Sequence, residues 1–275
     1  MKRARRLAIQ SILHSMGFLI LVSAAFLQAA PAAPAEAPPA SKLIAAAIEA
    51  QRVDRQRGWK YTYREDHDQF HFDKNGERLA PTRKTYDAIM LEAETYRKLI
   101  LIDGKPPSEK IQKQVERDLE KTRAERRKRS IRSITRTIPL GGLDELQRLF
   151  ENKVTGEEIV RGRNTWRVES EPKPEMKPAN KREEQEMSAR HTTWFDRQEG
   201  MIVKERILFL REAKGFQPGC EIDNEYVKIG DAWLMDLAIW KGEMKALAVV
   251  RLRFESHQHY FDYKRFDVAS TIAPQ

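Results

Sequence analysis

From Val154 almost to the C-terminus, side-chain character switches at every second residue, and short turns break the pattern at about the 8–12-residue spacing of an all-β chain. The segments are "VTGEEIV", "NTWRVESE", "ARHTTWFD", "GMIVKERILFLRE", "CEIDNEYVKI", "DAWLMDLAIW", "ALAVVRLRFESH" and "QHYFDYKRFDV". Turns fall at Arg161-Gly162-Arg163-Asn164, "DRQEG", "KIGD" and "KGEM", and a polar, proline-bearing loop is expected over 171–188. The same period starts earlier. Trp59, Tyr61 and Tyr63 alternate with polar residues, and "DKNG" at 73–76 is a hairpin turn. Strands are predicted at about 59–72, 78–90 and 94–102. A chain of this kind folds into one large twisted antiparallel sheet or an open barrel.

Helical signals are few. "SKLIAAAIEAQRVDRQR" at 41–57 puts Leu43, Ile44, Ala47 and Ile48 on one face, with Ser41 as N-cap and Gly58 as stop. Residues 108–138 form a highly charged helix with one narrow stripe, Ile111, Val115 and Leu119, and Ser108 can cap it. "LGGLDELQRLFEN" predicts a further short helix.

The chain opens with Lys2, Arg3, Arg5 and Arg6, then an apolar "MGFLILVSAAFL" and small residues, the order of a secretory signal peptide. Residues 1–32 are assigned to it, with cleavage expected between Ala29 and Ala35; an uncleaved anchor is the alternative. Residues 33–40 read as a disordered Pro/Ala linker, and 41–270 as one domain with a helical insertion at about 108–151. Export sets the net charge. The whole chain has 50 basic and 41 acidic side chains, net +9, and losing the four leader cations leaves +5. Such a mildly basic exported protein gives no reason to expect nucleic acid, whereas anionic headgroups remain possible partners. Cys220 is the one cysteine, so no internal disulfide forms and no lipid-bearing cysteine follows the leader. The expected location is the periplasm, and the expected state is a monomer.

Chemistry-bearing motifs are sparse. Asp66, His67, Asp68, His71 and Asp73 are all metal-ligand types, but residues four apart on a strand lie about 13 Å apart, too far for one ion. His257 and His259 share a face at about 7 Å with Glu255, and His191 could join only if the fold brought it there. The plainer reading is polar stripes on solvated strands, with Trp59, Tyr61 and Tyr63 inward and the histidines and carboxylates in water. No nucleophile elbow, P-loop or dinucleotide glycine fingerprint is present. Cys220 reads as a small buried residue. No enzyme, cofactor or metal is implied, and a cryptic hydrolase or metalloenzyme stands third among the readings.

The sheet itself is the stronger lead. Bulky apolar residues recur on one strand face, and the helices look too few to cover it. An apolar cleft lined by Tyr61, Tyr63, Leu99, Leu101, Trp194, Phe209, Trp240 and Phe254 is therefore expected, suited to an acyl chain at about 0.8 kcal/mol per buried CH₂. The basic stretch of 108–138, with Arg123, Arg126, Arg127, Lys128, Arg129 and Arg132, is a solvated helix or a contact for a membrane surface or an envelope protein.

The order of "YTYRED", "FDKNGE", "YRKLILIDGKPPSEK", "VTGEEIVRGRNTWRVE", "TWFDRQEGMIVKER" and "YFDYKRFDV" resembles the periplasmic outer-membrane lipoprotein-sorting (LolA/LolB-like) family, over about residues 58–268. Met235 stands where members often carry a proline. The resemblance implies a mainly β (α+β) fold, an incomplete antiparallel barrel of about nine or more strands with helices covering the concave face. It further implies non-catalytic binding or transport of a lipid or lipoprotein acyl chain, or else a protein-interaction or envelope-stress-sensing module on the same scaffold. It assigns no residue a role.

Overall fold

The computed structural model describes residues 37–92, 94–128, 142–247 and 250–266; the predicted signal segment, half of the linker and the end of the basic stretch lie outside them. The fold is mainly β. Its strands are β1 (Tyr61–Phe70), β2 (Thr82–Leu91), β3 (Glu94–Ile102), β4 (Phe150–Val160), β5 (Arg163–Pro172), β6 (Ala189–Asp196), β7 (Ile202–Phe209), β8 (Glu221–Ile229), β9 (Ala232–Leu247) and β10 (Val250–Arg265). They form one ten-stranded antiparallel sheet in the order β3-β2-β1-β10-β9-β8-β7-β6-β5-β4, open between β3 and β4. Every neighbouring pair is a sequence-adjacent hairpin or meander except β1–β10, which joins the two ends of the chain.

Among the described residues four helices accompany the sheet: α1 (Ala40–Gly58), α2 (Glu109–Lys128), α3 (Leu143–Leu149) and α4 (Lys181–Glu186). In α1, Ala40, Ile44, Ala47, Gln51 and Asp54 are buried, a four-three spacing that keeps one stripe on the sheet. The helix starts earlier than the sequence suggests. Pro39 rather than Ser41 is the N-cap, because the Pro39 carbonyl already accepts from the N–H groups of Lys42 and Leu43. At the far end, Asp54 Oδ1 accepts from the Trp233 N–H at 2.9 Å, and Arg57 Nη1 donates to the Asp231 carbonyl. Helix α1 thus reaches from β4 and α3 to β9.

The main core lies between this helix pair and the sheet: Ile44, Ala47, Leu143, Leu146, Leu149, Phe150, Val168, Phe195, Val203, Tyr226 and Trp233. Fully burying each large apolar side chain here contributes about 1.5–3 kcal/mol. The cross-strand pairs show which residues share this helix-covered face. From Ser170–His191 the register runs through Ile207, Ile222, Trp240, Ser256 and Gln69, and a parallel row passes through Gln258, His67 and Lys84. The opposite, outer face carries cross-strand ion pairs: Arg64–Asp87, Arg83–Asp68, Arg206–Asp223 and Lys241–Glu221.

Several expectations change. The ten strands of the described residues agree with the expected nine or more, but a helix, α4, forms inside the predicted loop, capped by Asn180 accepting from the N–H groups of Arg182 and Glu183. Trp59 is not in β1; it is the C-cap of α1 and 49% exposed. Helix α2 does not cover the same face as α1. Its contacts run from Glu116 to Lys98 and from Arg126 to Glu94 and the Tyr96 ring. Those β3 residues alternate with Arg97, which shares the face of Tyr63, so α2 lies on the outer face.

Candidate functional site

The helix-covered face has two halves. Over β4–β9 it is packed by α1 and α3. Over β1–β3 and β10, the substantial helix contact in the described residues is that of α2, on the other side. This second half carries half-buried Tyr63, Tyr86, Leu99, Phe254 and Tyr260, adjoining Trp240 on β9. Tyr63 stands 5.6 Å from the Tyr260 ring and 5.4 Å from the Tyr263 ring. Burial pushes the Tyr63 hydroxyl pKa up to about 12, and the Glu65 charge adds to the shift.

Among these rings sits an ion pair. Glu65, 1% exposed, accepts from Arg97 Nη2, and the guanidinium carbon lies 4.5 Å over the Tyr86 ring. Burial raises the Glu65 carboxyl pKa against the pull of Arg97. His67 Nε2 meets Ser256 Oγ at 2.7 Å, and its pKa is lowered by burial and by the charges of Arg97 and Lys84. The opening strand therefore corrects the simple inside–outside reading. Glu65 and His67 lie on the same face as Tyr63, because odd-numbered residues of one strand share a side. Asp68, on the outer face, is also buried, under Arg83.

The predicted cleft residues do not form one wall. Tyr61 is buried with Ala232 and Leu234, its hydroxyl donating to the Ile229 carbonyl. Phe209, Trp240 and Phe254 belong to a separate apolar cluster with Ala189, Ala213, Cys220 and Ile222. A β-bulge pairs Leu99 with Tyr86 but Leu101 with Thr85, so the two leucines go with opposite faces. Trp194 pairs with Arg167 and Lys204, and its indole N–H donates to Glu158 Oε2 at 2.7 Å. It is buried with the main core, not beside the tyrosines.

Phe216 is the residue that the sequence did not reveal. The 210–220 connection folds back over the sheet, with Gln217 N–H donating to the Glu243 carbonyl and Lys245 N–H to that of Gly215. Its ring stacks on Phe209 (5.2 Å) and meets Trp240 and Phe254 at 6.1 and 5.8 Å. Phe216 thus roofs the end of the face.

A polar layer separates this roofed cluster from the main core. His191 is fully enclosed, with Nδ1 3.5 Å from Glu205 Oε1, Nε2 3.7 Å from Glu186 Oε2 and the Phe150 ring edge-on at 5.3 Å. Both imidazole nitrogens, Glu205 Oε1, Ser170 Oγ, Thr193 Oγ1 and Trp240 Nε1 are buried without a hydrogen-bond partner among the described residues. Burial raises the Glu186 pKa, with Glu205 and Glu145 adding to it and His191 opposing. His191 faces away from His257, which pairs on the outer side with Asp68 and takes Glu255 Oε1 at 2.8 Å. Among the described residues no group of three or more His, Cys, Asp or Glu is arranged to hold a metal ion.

One surface cleft of about 600 Å³ lies between the β4–β5 and β6–β7 turns, lined by Gly162, Arg163, Asn164, Asp196, Arg197 and Gln198. Its cations are already paired: Arg163 with Asp196 and Glu199, and Arg197 with Glu157.

No family model and no curated protein matches the sequence. Solved structures with a similar fold include a DUF1329 family protein from Desulfovibrio piger, 13% identical with a TM-score of 0.36, covering 86% of this chain and 96% of that one. A putative outer membrane lipoprotein-sorting protein domain from Vibrio parahaemolyticus is 10% identical with a TM-score of 0.39, covering 86% and 95%. A LolA superfamily protein from Nitrosomonas europaea is 9% identical with a TM-score of 0.31, covering 87% and 99%. The last two carry names of the lipoprotein-sorting (LolA-like) family that the sequence resembles. At such identities no residue role is transferred, and the functional reading rests on this chain's own geometry.

Proposed function

We propose that this protein is a non-catalytic periplasmic binder of an amphipathic chain, a lipid or the acyl group of a lipoprotein, held on the half of the sheet face that lies beside α1. The supporting observation is the group of half-buried Tyr63, Tyr86, Leu99 and Tyr260 on β1, β2, β3 and β10, away from the main packing of α1 and α3, with Trp240 and Phe254 beyond them under Phe216. Aromatic and aliphatic side chains left at intermediate exposure on a sheet face gain by covering one another with an apolar ligand. Export by residues 1–32 belongs to this reading, as does function as a monomer.

A second reading, a protein-interaction or stress-sensing module, draws on α2. This helix buries Leu119 alone and is docked through Arg126, which donates to the carbonyls of Leu91, Glu94 and Thr95. Its remaining charged surface is free to meet an envelope protein or a membrane.

Native mass spectrometry of the mature protein purified from a bacterial periplasm, followed by denaturing lipid extraction, separates the two. A bound mass that extracts as phospholipid or acylated peptide is expected. A bare protein that stays bare after incubation with lipid overturns the binder reading and leaves α2 as the functional surface.

A further inference from the structure

Arg97 occupies the centre of the open half. It stands on β3 opposite Ala88, and its side chain crosses β2 to reach Glu65 on β1. Five groups feel its charge: Tyr63, Glu65, His67, Tyr86 and Tyr260. Yet the side chain remains 43% exposed. Glu65 occupies one guanidinium nitrogen, the Tyr86 ring supports one flat face, and no acceptor among the described residues meets Nε or Nη1. A guanidinium fixed in plane by a buried carboxylate and an aromatic ring, with one N–H edge free, is arranged for a planar or tetrahedral oxyanion. The geometry matches the fork of donors, and part of the ordering cost is already met. Lys84, exposed on the same face and paired in register with His67, adds a positive charge that Glu65 does not cancel.

We propose that Arg97, backed by Lys84, is the seat for an anionic head group, a carboxylate or phosphate, of the chain bound on this face, with the hydrocarbon lying along Tyr63, Tyr86 and Tyr260. This rests on the chain-binding reading above and narrows it to anionic amphiphiles. Neutral acyl esters, which offer no charge to Arg97, bind less tightly.

The test uses three probes of equal chain length: a fluorescent fatty acid, its methyl ester and the corresponding alkyl phosphate. The protein is the mature chain, as wild type, Arg97→Lys and the paired Glu65→Gln/Arg97→Gln variant. The paired change is needed because Arg97→Gln alone leaves Glu65 buried without its cation, which costs folding stability. Wild type is expected to favour at least one anion over the ester by about tenfold, the scale of a charge-assisted pair at a half-exposed site. Which anion wins distinguishes a carboxylate from a phosphate source. The paired variant is expected to lose that preference, its anion affinities falling to that for the ester, and Arg97→Lys to fall between, keeping charge without the fork. Equal wild-type affinity for ester and anions overturns the inference while leaving chain binding intact. Equal loss for all three probes in the paired variant also overturns it. Absence of binding by every probe removes the chain-binding reading and this inference together.

Discussion

Phe216 offers a direct test of how the roofed cluster is held. Its backbone bonds, the Phe216 N–H to the Ala213 carbonyl and the Ala213 N–H to that of Phe216, do not depend on the ring, so Phe216→Ala removes side-chain contacts alone. Truncating a fully buried phenylalanine costs about 3–5 kcal/mol. Phe216 is half-buried, which brings the expectation to about 2 kcal/mol, or a fall in melting temperature of about 4–8 °C for a domain of this size. The stacked pair with Phe209 should show as a coupling of about 1 kcal/mol in a double-mutant cycle with Phe209→Leu. Urea unfolding of the four proteins measures both numbers. An apolar dye should bind the Phe216→Ala protein more strongly, because Trp240 and Phe254 lose their cover. A destabilisation under about 0.5 kcal/mol with no coupling would refute the roof, since surface substitutions fall in that range.

Two further outcomes follow from local geometry. Gly242 has φ of +146°, and a Cβ there would lie 2.7 Å from the Cys220 Cα as well as against its sulfur; Gly242→Ala should cost about 3 kcal/mol in urea unfolding, and adding Cys220→Ala should not restore it, because the clash includes backbone. Asp68 is gripped by Arg83 at 2.6 and 2.7 Å, and that bond holds its pKa below the usual 3.8. A depressed carboxyl stabilises the fold above its unfolded pKa and loses that contribution as pH falls through the folded one. Asp68→Asn should therefore be less stable than wild type at pH 6 and approach it below about pH 4. Glu65, Asp54 and Glu186 shift in the opposite sense, so the difference between the two proteins is the quantity to follow, and a constant difference across the range would count against the assignment.

The architecture was legible because backbone pairing and side-chain alternation are local properties. The period-two segments, the "DKNG" turn, the Arg161-Gly162 turn and the stripe of α1 all carry their structure in a few adjacent residues, and most strands and helices formed where those patterns lay; the exceptions are β9, which runs through the predicted "KGEM" turn, and β10, which joins the last two predicted segments into one strand. Strand β3 is found over the predicted 94–102. What alternation leaves open is which side faces the helices. Each bulge, such as those at Thr62/Arg64 and Thr85/Tyr86, changes the parity, so Leu99 and Leu101 part company though they look alike in the sequence.

The candidate site needed the fold. Arg97 and Glu65 are 32 residues apart and meet only because β3, β2 and β1 pair in register. Phe216 came to Phe209, Trp240 and Phe254 through a loop that no periodicity marks. His191 was set among Glu186, Glu205 and Phe150 by four separate elements. The placement of α2 on the outer face, opposite α1, likewise has no signature in its narrow apolar stripe, which states that one side is buried but not against which face of the sheet. The sequence by itself determined that this chain makes many antiparallel strands and few helices, because those preferences act between near neighbours. The tertiary structure decided which polar groups share a face with the tyrosines and which half of that face stays open, because long-range pairing and the bulges within it settle parity strand by strand.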